Sequence, residues 1–106
     1  MAAVKYNYSM IRGDSTSIRI TCDPAFQTGD EIAMMVREDA DSEAVISKTV
    51  TEFQDGAAVI GFLPEDTREL PAGDYVYDIQ VTWASGNVQT IVQMSRFRIM
   101  EDVTHG

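Results

Sequence analysis

The chain contains one cysteine and one histidine in 106 residues. A single cysteine excludes an internal disulfide, so nothing here demands an oxidising compartment. The lone histidine, His105, is the penultimate residue, where chain ends fray. A catalytic triad needs its base held rigidly beside a nucleophile, so His105 is a poor base. No apolar run approaches the ~18 residues of a membrane-spanning helix. The opening Met1-Ala2-Ala3-Val4-Lys5-Tyr6 lacks an apolar signal core, which predicts a protein made and kept in a cytoplasm, with no membrane partner. Positive charge is scarce: 8 Lys and Arg stand against 17 Asp and Glu, a net charge of −9. Phosphate backbones repel such a surface, and counterion release needs clustered cations, so no nucleic-acid partner is expected. A Gly-rich phosphate loop, zinc-ligand spacing and Gly-x-Ser-x-Gly are all missing. The expectation is a chain with no enzymatic activity, no catalytic residues, and no cofactor or required metal. Its acidity suits solubility in a crowded or assembled state.

What is present reads as strands. The length fits one domain over residues 1–106, able to bury roughly two-thirds of its unfolded surface. Turn signals recur every ten residues or so, as in a sandwich or barrel. Tyr6, Tyr8 and Met10 alternate with polar residues in a first strand. After a turn at Arg12-Gly13-Asp14, Ile18, Ile20 and Cys22 share the inward face of a second. Asp23-Pro24 stops it, and Gln27-Thr28-Gly29-Asp30 is a further turn. In the third strand, Glu31 to Arg37, Ile32, Met34 and Val36 share one face, and Ala33 and Met35 the other. Two apolar faces fit a strand at the sandwich centre or beneath a partner subunit. An acidic loop over 38–43 leads to a fourth strand over 44–50, carrying Val45, Ile46 and Val50. Asp55-Gly56 is a strong turn dipeptide. In the fifth strand, over 57–63, Val59 and Leu63 compete with Ile60 and Phe62 for the inward face.

Pro64 to Leu70 is the helical piece, with Pro in its first turn and acids at its positive end. Gly73 then enters the clearest strand. Tyr75, Tyr77, Ile79, Val81 and Trp83 form one face, with Asp78, Gln80 and Thr82 on the other. Ser85-Gly86 turns the chain into a last strand over 88–100. There Val92 and Met94 are out of phase with Phe97 and Ile99, which predicts a β-bulge near 93–95. The fold expected is all-β, a sandwich of about seven strands with one short helical turn. Its core is built around Ile18, Ile20, Tyr77, Ile79, Val81, Phe97 and Ile99.

Each candidate for chemistry has a plainer explanation. Arg12-Gly13-Asp14 spells an integrin-binding tripeptide, but Gly13 is already accounted for by a turn. Asp39, Asp41 and Glu43 suggest a Ca²⁺ loop, yet Ala44 and Val50 stand where an EF-hand requires Gly and Glu. Cys22 reads as a small core hydrophobe. Glu65, Asp66 and Glu69 lie within one helical turn and do not face each other across a cleft, as a glycosidase pair does. Tyr75, Tyr77 and Trp83 could form a sugar platform, but they share their face with Ile79 and Val81. Met34, Met35 and Trp83 are the candidate interaction surface, and homo-oligomerisation through sheet faces or edges is expected.

The strings Leu63-Pro-Glu-Asp-Thr67, Leu70-Pro-Ala-Gly-Asp-Tyr-Val-Tyr-Asp-Ile-Gln-Val81, Gly86-Asn-Val-Gln-Thr-Ile-Val92 and Phe97-Arg-Ile-Met-Glu-Asp-Val-Thr104 resemble a small immunoglobulin-like domain. Such domains occur in structural proteins of tailed phages and prophages, and the N-terminal domains of baseplate upper proteins are similar. Arg12-Gly-Asp-Ser-Thr-Ser-Ile-Arg-Ile20 resembles the family's opening. Gln93-Met94-Ser95-Arg96 departs from it, lacking the Gly that often precedes the final Phe-containing strand. The resemblance implies an immunoglobulin-like sandwich and a non-enzymatic tail or baseplate building block or adaptor. It further implies a stand-alone decoration domain, located in the virion after synthesis in a bacterial host's cytoplasm. Its partners would be further copies or other tail proteins. The competing expectation is a carbohydrate- or cell-surface-binding sandwich that uses its loops or Trp83.

Overall fold

The computed structural model describes residues 3–103. Its elements are β1 (Tyr8–Ile11), β2 (Thr16–Ile20), β3 (Glu31–Arg37), β4 (Ala44–Val50), β5 (Ala58–Phe62), α1 (Pro64–Thr67), β6 (Gly73–Thr82) and β7 (Val88–Met100). They form two layers. One is a five-stranded sheet ordered β1-β7-β6-β3-β4, and the other pairs β2 with β5. β1 runs parallel to β7, and the other pairings are antiparallel. This is the all-β sandwich with one short helical turn that the strand pattern predicts.

The core lies between the layers. β6 supplies Tyr75, Tyr77, Ile79 and Val81, and β3 supplies Ile32, Met34 and Val36, all buried. From the smaller sheet come Ala58, Ile60 and Phe62, which settles the inward face of β5 and leaves Val59 and Leu63 exposed. The Phe97 ring joins the layers, with centroids 5.6 Å from Phe62, 5.4 Å from Tyr8 and 5.9 Å from Tyr77. Two core residues expected from the alternation differ: Ile18 and Ile20 face inward but are only partly buried. Their strand has a neighbour on one side only, so half of the cover is missing.

The predicted bulge is present. Tyr77 pairs with Ser95 but Ile79 with Val92, so two steps along β6 match three along β7. A second irregularity, between Ile79 and Gln80, lets the adjacent Ile91 and Val92 both be buried. The helix is shorter than expected. It ends at Thr67, where the Leu70 N–H turns back to the Thr67 carbonyl at 2.9 Å. Pro71 disfavours the α region for Leu70 and so prevents another turn.

Two buried polar side chains pin the loops. Asp30 accepts the N–H of Gln27 at 3.0 Å and of Ala84 at 2.9 Å, locking the loop before β3 to the start of the β6–β7 hairpin. Thr67 accepts the Gly13 N–H at 2.8 Å, tying the β1–β2 turn to α1. Gly13 has φ +83°, a conformation that glycine adopts without steric cost.

Candidate binding site on the open side of the sandwich

The two sides of the sandwich are closed differently. On one side β4 and β5 belong to different sheets, and Lys48 covers the seam. Its Nζ lies 2.7 Å from Asp66 and 5.7 Å from the centroid of the Phe62 ring. Asp66 also accepts the Leu63 N–H at 2.8 Å. Burial pushes the Asp66 carboxyl up, but the bonds from Lys48 and Leu63 and the charge of Lys48 outweigh it, so its pKa is lowered.

On the opposite side, among the described residues, no ion pair closes the gap between β1 and β2. A groove of about 330 Å³ runs there. Val4, Tyr6 and Tyr8 form one wall, Ile18 and Ile20 the other, and Tyr77, Ile79 and Val92 the floor. Tyr8 and Thr16 share a hydroxyl–hydroxyl hydrogen bond of 3.0 Å between the two walls.

The β2 wall has a specific character. Five consecutive residues, Ser17 to Thr21, border the groove. Side chains in a strand alternate between faces, so five in a row cannot all point one way. What they share is the backbone edge. That edge is the one turned away from β5, and among the described residues no backbone partner pairs with it.

The opposite wall is firmly held. Val4 bridges to Val92 in parallel, with its N–H on the Ile91 carbonyl at 3.2 Å and its carbonyl on the Gln93 N–H at 2.9 Å. The Tyr6 N–H donates to the Ser95 hydroxyl at 3.0 Å, and the Tyr77 hydroxyl donates to the Tyr6 carbonyl. Burial is the main reason that the Tyr77 phenol is pushed up to about 12, with the nearby Tyr6 and Tyr8 phenols adding to it. The groove therefore has one wall pinned to the larger sheet and one wall ending in unpaired backbone.

The candidate interaction residues Met34, Met35 and Trp83 lie elsewhere. Met34 is fully buried in the core, which corrects its place on an interaction surface: alternation points it inward against Ile79. Met35, its neighbour, is exposed and borders a shallow hollow of about 100 Å³ with Met94, Val76 and Asp78. Trp83 is partly buried, stacks on Phe26 at 5.9 Å and donates its indole N–H to Gln89 at 3.1 Å. Tyr75, Tyr77 and Trp83 therefore form no open aromatic platform.

Arg12 of the tripeptide is turned to Asp102 in an ion pair of 3.0 Å, so the three residues do not form a projecting recognition tip. Asp39 accepts from the Ser42 hydroxyl and the Asp41 amide, and these bonds lower its pKa. That loop is a hydrogen-bonded turn. Among the described residues no three His, Cys, Asp or Glu side chains gather where they could hold a metal ion. Cys22 is partly buried beyond the end of β2, and burial is the main cause that raises its thiol pKa. His105 lies outside the described residues.

Fold and groove together define an all-β sandwich with an apolar groove beside the free edge of β2. No family model matches the chain, and no curated protein matches it. Among solved structures it is similar to CopC from Methylosinus trichosporium OB3b, at 14% identity and a TM-score of 0.47, covering 99% of this chain and 91% of that one. The expectation of a phage or prophage virion protein, whether tail or baseplate building block, is corrected: no matching family or curated protein supplies a virion relative, and CopC is a similar solved structure. The physical reason is visible in the motifs. Gly13, Pro64, Gly73 and the Gly86 hairpin serve turns that a sandwich of this topology needs, and such residues specify a fold and not a role.

Proposed function

We propose that this chain is a protein-interaction module that accepts an extended segment of a partner as an added strand along β2. The observation that carries the reading is the run from Ser17 to Thr21, whose unpaired backbone edge borders an apolar groove. Strand addition uses both features at once. Main-chain hydrogen bonds to the edge give affinity, and alternate side chains of the incoming segment fill the groove. Such a module works by association and needs no nucleophile, base or metal.

A titration tests this. The probe is an acetylated and amidated octapeptide of alternating Val and Ser carrying a fluorophore, followed by anisotropy. Saturable binding is expected, and Ile18→Glu and Ile20→Glu, which put a carboxylate into the groove wall, abolish it while thermal unfolding stays cooperative. Binding that survives both substitutions, or no saturable binding at all, overturns the reading.

Self-association is a second reading, favoured by one observation: Met35 and Met94 are exposed together on the outer face of the larger sheet. Light scattering at micromolar protein tests it. A dimer that Met35→Glu dissociates supports it, and a strict monomer contradicts it.

A further inference from the structure

The charges around the groove narrow the partner, given that strand addition along β2 is its mode of binding. The chain has 17 acidic residues, yet none of them borders the groove. Among the described residues the one charged residue on its border is Arg19. Arg19 is exposed on the outer face of β2, between the inward-facing Ile18 and Ile20. Among the described residues the ion pairs use Arg12, Lys48 and Arg98, so Arg19 is matched by no carboxylate there. A basic residue thus stands on the unpaired edge beside the apolar groove, in a chain of net charge −9.

We infer that the natural occupant is an extended protein segment in which apolar residues alternate with acidic ones. In an added strand, residues on one face enter the groove against Ile18, Ile20 and Ile79. Residues on the other face lie beside Arg19, where an opposite charge on the neighbouring strand stabilises the pair and a like charge repels it. The same pattern explains why a second copy is a poor occupant through its own β2: that strand would bring another Arg19. The exposed β4 edge of a second copy carries Lys48 and no carboxylate.

The long-range field works against this preference, which makes the test sharp. An acidic chain attracts a cationic peptide over most of its surface. At 0.15 M salt, however, charges farther apart than about 8 Å are largely screened, so the contact at Arg19 decides. The probes are two octapeptides, one of alternating Val and Glu and one of alternating Val and Lys, with the Val and Ser peptide as neutral reference. The Glu peptide is expected to bind about fivefold more tightly than the Lys peptide, the scale of a cross-strand charge pair. Arg19→Glu inverts the order, and Arg19→Gln removes most of the difference. Equal binding of the Glu and Lys peptides, with the neutral peptide also bound, overturns the acidic partner and leaves strand addition standing. Failure of all three to bind at β2 overturns strand addition itself.

Discussion

Ile18 stands opposite Ile60 across the β2–β5 ladder, yet Ile60 is buried and Ile18 is only partly so. The two side chains share a rung and point into the same core. They differ in what lies beyond them: the seam on the β5 side is covered by Lys48 and Asp66, whereas the far edge of β2 meets the groove. This single pair captures the asymmetry on which the binding proposal rests.

Truncation should report that asymmetry as stability. Ile60→Ala and Ile79→Ala are expected to cost about 2–5 kcal/mol, the range for deleting a buried isoleucine side chain. Ile18→Ala is expected to cost below about 1.5 kcal/mol, because less of its surface leaves water on folding. Urea unfolding measures all three. Equal losses at positions 18 and 60 would show the groove to be closed in solution.

The Thr67 hydroxyl is buried and accepts the Gly13 N–H. Thr67→Val keeps the shape and removes the acceptor, at an expected cost of about 1–3 kcal/mol for an unsatisfied amide. Thr67→Ser restores the acceptor and recovers part of that loss. If Val and Ser behave alike in urea unfolding, the hydrogen bond is not what holds the β1–β2 turn.

Asp30 accepts two amides from segments far apart in sequence, one of them 54 residues away at Ala84. Hydrogen bonds to a charged acceptor contribute about 1.5–3 kcal/mol, so Asp30→Ala should destabilise by at least that amount. Hydrogen exchange should quicken at Gln27 and Ala84 first. Unchanged protection at both amides would contradict the assignment.

Stability should fall at both ends of the pH scale, for different reasons. The Asp66 and Asp74 carboxyls are lowered in the folded chain, Asp66 by Lys48 and the Leu63 amide against its own burial, and Asp74 mainly by its bond from Arg98. Their stabilisation is complete above the unfolded carboxylate value of about 4 and is lost as pH falls through the folded value. Tyr77 is the reverse case. Burial raises it to about 12, so its contribution is complete below the unfolded value near 10 and disappears as pH rises from there through about 12. Denaturation midpoints measured across pH check this: Asp66→Asn should flatten the acid limb, and Tyr77→Phe the alkaline one. An alkaline limb that is unchanged by Tyr77→Phe would contradict the Tyr77 assignment.

Much of this architecture is legible in the residues. β6 is readable because Tyr75 to Val81 alternate without interruption, and the bulge in β7 because Val92 and Phe97 cannot share a phase without one. The face of β5 is not readable, since Val59 and Ile60 are equally apolar; only pairing with β2 decides it. Asp30 reads as an ordinary turn residue, because its acceptor role depends on Ala84, which no local pattern brings near. The groove is hidden for a deeper reason. Ile18 and Ile20 carry a correct inward signal, but whether a further strand covers them is a property of topology and not of their spacing. The Met34 reading misses for the same cause: alternation gives a face, and contacts give the exposure.

The most direct measurement is amide hydrogen exchange of β2, followed residue by residue with and without the Val and Glu octapeptide. An edge with no partner exchanges from the folded state, whereas a paired strand exchanges only on opening. In the chain alone, alternate amides between Thr16 and Ile20 should be protected by β5 and the others should exchange rapidly. Addition of the peptide should slow the rapid set while leaving the outer face around Met35 unchanged. Full protection of β2 without peptide, or no slowing with it, would contradict the account.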